Sequence, residues 1–201
     1  PPCSLRAAAC PQNGYPGRSQ GIDDFDQAMT ATGRQRIVII GGGQAGGRLA
    51  QLLAAEPGRF AVTLVCREAH PPYERPPLSK GVLLGTTSFE GCRIWSADDP
   101  AWREVDQRLG VSAEAIDRKA KSVVLSDGTR LPYDRLVIAT GSGLRRLSVP
   151  GSDLEGVHNL RSYDDALAIA RRFGKGKRLV VVGGGFIGLE IAASARMSGL
   201  A

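Results

Sequence analysis

Two copies of one glycine-rich phrase constrain the fold of this chain more than any other feature. They cover residues 37–47 and 180–188, and each joins an apolar β-branched run, the spacing G-x-G-x-x-G and helix-forming residues. One copy alone is a weak signal among 26 glycines. In this strand-to-helix context, each glycine has its own role. The first makes a tight turn, the second lets the backbone approach a pyrophosphate, and the third allows close packing of the helix on the strand. The sequence therefore predicts two dinucleotide-binding units, each with a diphosphate at a helix N-terminus.

The composition is that of an ordinary globular protein. With 201 residues, 42% of them hydrophobic, the chain can form one large or two small domains. The formal net charge of +6 fits either an acidic partner or a basic surface alone. No block of lysines and arginines alternates with aromatic residues, so we do not expect a nucleic acid partner.

The spacing of the cysteines and the length of the apolar runs further narrow the class of protein. Cys3, Cys10, Cys66 and Cys92 form no C-x-x-C pair and no metal-ligand spacing, so we expect no metal site and reduced structural thiols. No apolar run approaches the roughly 18 residues of a membrane span, and the first residues lack the apolar core of a signal peptide. We therefore expect a cytoplasmic protein without a membrane partner, of unassigned oligomeric state.

The chain begins with a low-complexity segment and continues as alternating strands and helices. Residues 1–33 are rich in Pro, Gly, Ser, Ala and Gln, which predicts a disordered extension, and Met29 is a candidate initiator. Leu49, Leu52 and Leu53 are expected to share one face of the first helix, and Ser79 is expected to cap a short helix. Strands are predicted over residues 36–40, 60–66, 112–116, 122–125, 130–131, 136–139 and 178–182, and helices over 45–55, 79–84 and 162–172.

A proline-rich string between the two glycine motifs carries a family resemblance. The string Pro-Tyr-Glu-Arg-Pro-Pro-Leu-Ser-Lys at residues 72–80 resembles the FAD-contacting loop of the ferredoxin reductase family, which includes putidaredoxin, rubredoxin and biphenyl-dioxygenase reductases and apoptosis-inducing factor, within the pyridine nucleotide-disulfide oxidoreductase superfamily. With both glycine motifs and the Ala-Thr-Gly at residues 139–141, the similarity runs from Arg36 to the last residue.

The resemblance implies a fold and a domain organisation. It implies an α/β chain with two Rossmann-like three-layer units, the second one truncated, and a small antiparallel β element. Residues 1–33 would be the disordered extension, residues 34–147 the first part of a discontinuous FAD-binding domain, and residues 148–201 the start of an NAD(P)-binding domain.

The same resemblance assigns residues to the FAD site. The acidic residue that follows the second strand in the family would contact the adenosine ribose; here its first place is Arg67, and only Glu68 is acidic, with a solvated charge as the alternative interpretation. Arg75 and Lys80 would supply cations beside the flavin. The pyrophosphate cradle and the remaining FAD contacts would be Gly41, Gly43, Gln44, Ala45, Gly46, Ala113, Ala139, Thr140, Gly141 and Arg145.

The second glycine motif would hold NAD(P)H and supply a partner for Lys80. Glu190 corresponds to a family glutamate that pairs with this lysine where the nicotinamide meets the flavin, so Lys80 and Glu190 are the candidate catalytic residues. An ordinary first-turn glutamate favoured by the helix dipole is the alternative. The NAD(P)H-binding residues would be Gly183, Gly185, Phe186, Ile187, Gly188 and Glu190.

The implied activity is electron transfer. NAD(P)H would pass a hydride to FAD, and reduced FAD would pass single electrons to a 2Fe–2S ferredoxin-type protein or a rubredoxin. Residues 68–85 contain no cysteine, so disulfide reduction is not expected. Two alternatives stay open: a flavoprotein like apoptosis-inducing factor with mainly a binding role, or an inactive fragment. Because the family completes its FAD site with a later Gly-Asp segment, we expect the isolated chain to bind FAD weakly.

Overall fold

A computed structural model describes residues 33–200. The predicted extension and initiator fall on residues 1–33, all but the last of which lie outside the described residues. Within the described part, short helical turns cover Leu78–Val82, Glu90–Cys92 and Pro100–Glu104. The main elements there are β1 (Gln35–Ile40), α1 (Gln44–Ala54), β2 (Phe60–Cys66), β3 (Val105–Leu109), β4 (Ala113–Asp117), β5 (Ser122–Leu125), β6 (Arg130–Pro132), β7 (Arg135–Ile138), α2 (Tyr163–Ala170) and α3 (Phe186–Met197).

A four-stranded parallel sheet forms the centre of the molecule, in the order β3-β2-β1-β7. In the register, Ile37 pairs with Val62 on one side and with Arg135 on the other. A parallel strand between two neighbours is buried on both faces, which accounts for the uninterrupted apolar run in β1. Ile39 and Leu64 are fully buried.

The two faces of β1 pack against different partners. Ile37 and Ile39 contact the α1 side of the core, where Ala50 and Ala54 are buried. Val38 and Ile40 face the three-stranded antiparallel sheet β4-β5-β6 and its Val123 and Leu125. The described part is thus a helix layer, a parallel sheet and a small antiparallel sheet, and the predicted α/β class with an antiparallel element is confirmed.

Most predicted elements are present, and one strand was missed. The structure contains the strands expected near residues 36–40, 60–66, 112–116, 122–125, 130–131 and 136–139 within a residue or two. β3 was not predicted, because Asp106, Gln107 and Arg108 interrupt its apolar pattern. Among the described residues, β3 is an edge strand with one strand neighbour, β2, and Val105 is its only buried residue.

The strand predicted over residues 178–182 is wrong. This segment belongs to no strand, and the side chains of Val180 and Val182 are 84% and 75% exposed. A β-strand needs a neighbour for its backbone hydrogen bonds, and no strand of the described residues pairs with this segment. The local β-branched pattern therefore predicts a strand that these residues do not form.

The three leucines predicted to share one face of α1 differ in their burial. Leu52 is 70% exposed, while the helix buries Gly46, Gly47, Ala50 and Ala54. Leu49 and Leu53 are partly buried against the core. The helix approaches the sheet closely at Gly46, where a Cβ would lie 3.3 Å from Cγ2 of Ile39. Within the described residues, no helix combines the length and apolarity needed to cross a membrane.

A buried carboxylate joins the start of β1 to the start of β7. The guanidinium of Arg36 donates to both oxygens of Asp134, from Nη2 to Oδ1 at 2.8 Å and from Nε to Oδ2 at 3.2 Å. The backbone N–H of Arg36 also donates to Oδ2 at 2.7 Å. The side-chain hydrogen bond from Arg36 is the largest influence on this carboxyl, and it lowers the pKa of Asp134.

Replacing Asp134 should therefore destabilise the fold in a pH-dependent way. Because the folded pKa of Asp134 is lowered, its contribution is present above the unfolded value of about 3.9 and is lost as the pH falls through the folded value. We expect Asp134→Asn to reduce the free energy of unfolding by about 2 kcal/mol at pH 7. Urea unfolding of both proteins from pH 7 to pH 3 measures this, and the difference should shrink at the acid end. Asp153→Asn, at an exposed aspartate, is the control; a constant difference across the pH range would contradict the assignment.

Candidate functional site

The first glycine loop connects β1 to α1, and packing dictates two of its glycines. Gly41 has a φ of +112°, and a Cβ there would overlap the carbonyl group of Ala139. A Cβ on Gly46 would overlap the carbonyl oxygen of Gly41. Any side chain at either position would therefore disturb the loop itself.

Gly43 is different, because the protein itself does not require a glycine there. Its backbone is extended, with φ −77° and ψ −170°, and a Cβ would have no atom of the described residues within 4 Å. As the residue before α1, it leaves the helix N-terminus without a side-chain cap, and the first turn contains no acidic residue. Open space beside free N–H groups is what a diphosphate needs.

The second glycine loop repeats this geometry before α3. Gly183 has a φ of +109°, and a Cβ on Gly188 would overlap the carbonyl oxygen of Gly183. Gly185 matches Gly43, with φ −75° and ψ 174° and no atom of the described residues within 4 Å of a Cβ. Phe186 and Ile187 begin the helix, and both are exposed. The two motifs therefore share one backbone arrangement as well as one spacing.

The proline-rich string packs against the first loop. A Cβ on Gly47 would lie 2.6 Å from the Cβ of Pro72, so α1 can approach the string only because this position is a glycine. The string is also paired with a later segment, since Ile94 N–H donates to Pro72 O at 3.1 Å and Glu74 N–H to Cys92 O at 2.7 Å. The string is thus held directly beside the N-terminal half of α1.

Glu68 and Arg75, both predicted FAD contacts, bind each other. Arg75 Nη2 lies 2.7 Å from Glu68 Oε1, and the hydroxyl of Tyr73 donates to Oε2. Arg75 also donates to the backbone carbonyl of Arg161, and the N–H of Tyr163 donates to Tyr73 Oη at 3.0 Å. Burial, followed by the bond to Glu68, raises the pKa of Tyr73 above its usual value. Glu68 is therefore not a solvated charge: it joins the end of β2 to the string and, through Tyr73, to α2.

Lys80 and Glu190, 110 positions apart, form an ion pair. Lys80 Nζ lies 2.9 Å from Glu190 Oε1, and the hydroxyl of Ser79 donates to Oε2. The bond from Ser79 and then the bond from Lys80 lower the pKa of Glu190. Glu190 lies beyond the first turn of α3, so the alternative of a first-turn glutamate is wrong. Ser79 does not cap a helix as expected; it lies inside a turn that Pro77 precedes, and its hydroxyl serves Glu190.

Some of the other residues predicted for the site lie beside the first glycine loop, and others are exposed away from it. Ala139, Thr140 and Gly141 follow β7 directly, and the Ala139 N–H donates to Ile40 O at 2.8 Å, which places them beside the first loop. Ala113 begins β4. Arg145 is exposed and has no polar partner among the described residues, so it does not contact the other residues predicted for the site through a polar group. Arg67 is likewise exposed after β2.

Sequence reasoning did not assign site roles to Tyr73 and Ser194. Tyr73 is buried and completes the bonds of Glu68. Ser194 lies one turn after Glu190 on α3, and this spacing of four was a signal that could have found it.

Comparisons with known proteins decide the family. The family described as pyridine nucleotide-disulphide oxidoreductase matches residues 35–200. The chain belongs to this family. The benzene 1,2-dioxygenase system ferredoxin–NAD(+) reductase subunit of Pseudomonas putida is 42% identical over 165 residues, covering 82% of this chain and 40% of that protein. The probable ferredoxin reductase CtmF of Castellaniella defragrans is 40% identical over 160 residues, covering 80% and 39%.

Solved structures agree with this membership. Putidaredoxin reductase in its covalent complex with putidaredoxin matches with a TM-score of 0.74 and 37% identity, covering 83% of this chain and 40% of that one. The ferredoxin reductase for the CYP199A2 system of Rhodopseudomonas palustris matches with a TM-score of 0.74 and 35% identity, covering 83% and 41%. The predicted resemblance to ferredoxin reductases is confirmed, and the chain spans about two fifths of these relatives' length.

The cysteines of this family member are not arranged for disulfide chemistry in the described part. Cys66 and Cys92 are both buried free thiols. Burial, followed by the charge of Glu68, raises the pKa of the Cys66 thiol to about 12. A thiol that stays protonated at neutral pH is a poor nucleophile. Cys66 serves packing instead, since a Cβ on Gly42 would overlap its sulfur.

The different surroundings of Gly41 and Gly43 predict different effects of an alanine substitution on the free energy of unfolding. Gly41→Ala combines a positive φ with overlap at Ala139, so we expect it to lower the free energy of unfolding by about 3 kcal/mol. Gly43→Ala enters open space with an ordinary backbone and should cost less than about 1 kcal/mol. Urea unfolding of the 201-residue chain measures both. Equal costs would show that the second glycine is also required by packing.

Proposed function

We propose that this chain provides the FAD-binding unit and the start of the NAD(P)H-binding unit of a ferredoxin reductase. In that enzyme a hydride passes from NAD(P)H to FAD, and single electrons then pass to a ferredoxin-type iron–sulfur protein. The observation that carries the proposal is the Lys80–Glu190 ion pair, because it joins the proline-rich string to the helix of the second glycine motif. The names of the similar ferredoxin–NAD(+) reductases support the same activity.

The residues of the first loop fit a diphosphate. Gly43 leaves open space beside the N-terminus of α1, and no carboxylate of the first turn opposes an anion there. Gly41, Gly43, Gln44, Ala45 and Gly46 would hold the pyrophosphate of FAD, and residues 34–147 would form its domain. The equivalent loop from Gly183 to Gly188 would hold NAD(P)H, as the first part of a domain over residues 148–201.

Lys80 provides a positioned cation for the reaction. Its ammonium has three donors, of which one contacts Glu190 at 2.9 Å and a second reaches the carbonyl of Pro76 at 3.4 Å. The side chain is 53% exposed, so the third donor is open to a ligand. FAD, when bound, supplies the redox chemistry, and its reduced form carries negative charge that a nearby cation stabilises. Glu190 holds the ammonium in place through this contact.

The electron acceptor we propose is an acidic ferredoxin-type protein of the cytoplasm. The net charge of +6 favours fast, salt-sensitive association with an acidic partner. Putidaredoxin reductase, to which the chain is 37% identical, was solved in complex with putidaredoxin. Buried free thiols at Cys66 and Cys92 suit a reducing compartment.

FAD binding by the full 201-residue chain tests the proposal. We expect weak binding in equilibrium dialysis, with Gly43→Ala weakening it at least about tenfold, or ~1.4 kcal/mol, because its methyl group occupies the space of the pyrophosphate. Gly58→Ala is the matched control: Gly58 is exposed, and a Cβ there also meets nothing within 4 Å among the described residues. No binding by the unmodified chain, or equal affinities for the two variants, would refute the FAD assignment.

A chimera tests the reductase activity. Residues 35–200 would replace the matching segment of the Pseudomonas putida benzene 1,2-dioxygenase reductase subunit, which is 42% identical. We expect NADH-dependent ferredoxin reduction, and a roughly tenfold to hundredfold lower rate for Lys80→Ala because the positioned cation is lost. Lys119→Ala, at an exposed lysine of the β4–β5 turn, should leave the rate unchanged. A Lys80→Ala chimera with full hydride transfer would contradict the role of Lys80.

A further inference from the structure

Two buried serines lie where the turn at Leu78–Val82 meets α3. Ser79 and Ser194 are each only 4% exposed, among the few buried polar residues of the described part. A buried hydroxyl requires a hydrogen-bond partner, since leaving one unsatisfied costs about 1–3 kcal/mol. The partners of these two serines are therefore informative about what holds the turn and the helix together.

Ser79 and Lys80 bind opposite oxygens of one carboxylate. The hydroxyl of Ser79 donates to Glu190 Oε2, and the ammonium of Lys80 lies 2.9 Å from Oε1. A carboxylate with a donor on each oxygen cannot rotate about its terminal bond without breaking one of the two interactions. The position of the Lys80 ammonium is therefore linked to the bond that Ser79 makes.

The backbone of the turn brings these two neighbouring residues to Glu190. The Val82 N–H donates to Pro77 O at 3.1 Å, which closes a wide turn over five residues. Such π-type turns are rare and frequently occur at functional sites. Leu78 and Val82 pack into a buried apolar cluster with Ala166 and Ile169 of α2. Among the described residues, the side chains that bind the Glu190 carboxylate are those of Ser79 and Lys80, and the turn itself packs on apolar side chains.

Ser194 attaches the same turn to α3 without contacting the Glu190 carboxylate. Its hydroxyl donates to the backbone carbonyl of Ser79 at 2.8 Å. Ser194 follows Glu190 by four positions, so both side chains leave the same face of α3. The two serines thus have separable functions: Ser194 attaches the backbone of the turn to the helix, and Ser79 binds the carboxylate.

We propose that Ser79 is a positioning residue that orients Glu190 and, through it, the ammonium of Lys80. A role for the oriented Lys80 ammonium beside the flavin rests on the proposed reductase function, whereas the hydrogen bond from Ser79 to Glu190 does not. Ser79 stabilises the charged form of the glutamate, which keeps the ion pair intact. Loss of the hydroxyl would free one carboxylate oxygen and allow the Lys80 side chain to leave its position.

Carboxyl titration of the full 201-residue chain tests the proposal. Carbon-13 NMR of glutamate-labelled protein follows each carboxyl against pH, and Glu190→Gln identifies the Glu190 signal. The bond from Ser79 lowers the pKa of Glu190, so Ser79→Ala should move its titration midpoint to higher pH. Ser79→Thr keeps a hydroxyl and should restore the original midpoint.

Ser194→Ala is the matched control for a merely structural effect. It should lower the urea midpoint of unfolding, because a buried hydrogen bond is lost, but leave the Glu190 titration unchanged. An unchanged Glu190 midpoint in Ser79→Ala, or an equal shift in Ser194→Ala, would overturn the proposal. No flavin is present in this experiment, so failed FAD binding would refute the proposed function and leave the result on Ser79 intact.

Discussion

The rest of the structure depends on the burial of β1 on both faces and at both edges. Its side chains alternate between the α1 layer and the antiparallel sheet, and its backbone pairs with β2 and β7. The second of these partners lies about a hundred residues away in sequence, and the Arg36–Asp134 bonds hold its start beside β1. A strand enclosed in this way has one register, because a slip by one residue would turn its apolar side chains to the wrong layer.

This register sets the position of the first glycine loop. Parallel strands end at the same edge of a sheet, so β1, β2 and β7 deliver the loop after Ile40, the acid after Cys66 and the Ala-Thr-Gly after Ile138 to one place. The close approach of Gly41 to the backbone carbonyl of Ala139 is possible only because Gly41 has no side chain. The open position at Gly43 therefore lies beside the strand ends that this pairing brings together.

Two polar groups connect this edge to the later part of the chain. Glu68, Tyr73 and Arg75 link the end of β2 to residues 161–163, and Ser79, Lys80 and Glu190 link the proline-rich string to α3. In both groups a carboxylate has both of its oxygens occupied, which lets the side chains of Glu68 and Glu190 lie in partly buried positions. The string is thereby the common contact of both glycine-motif helices, in keeping with a cofactor-binding role for both.

The sequence by itself determined the features whose physical requirements are local. The spacing of the glycines indicated which position needs a turn, which needs open space and which needs close packing, and the structure reproduces this order at Gly41, Gly43 and Gly46. Tertiary structure alone decided what depends on neighbours: β3 is a strand because β2 pairs with it, whereas residues 178–182 have no strand beside them in the described part. It also decided that Leu52 is exposed and that Ser79 binds Glu190, because hydrogen-bond partners and packing distances come from residues far away in the chain.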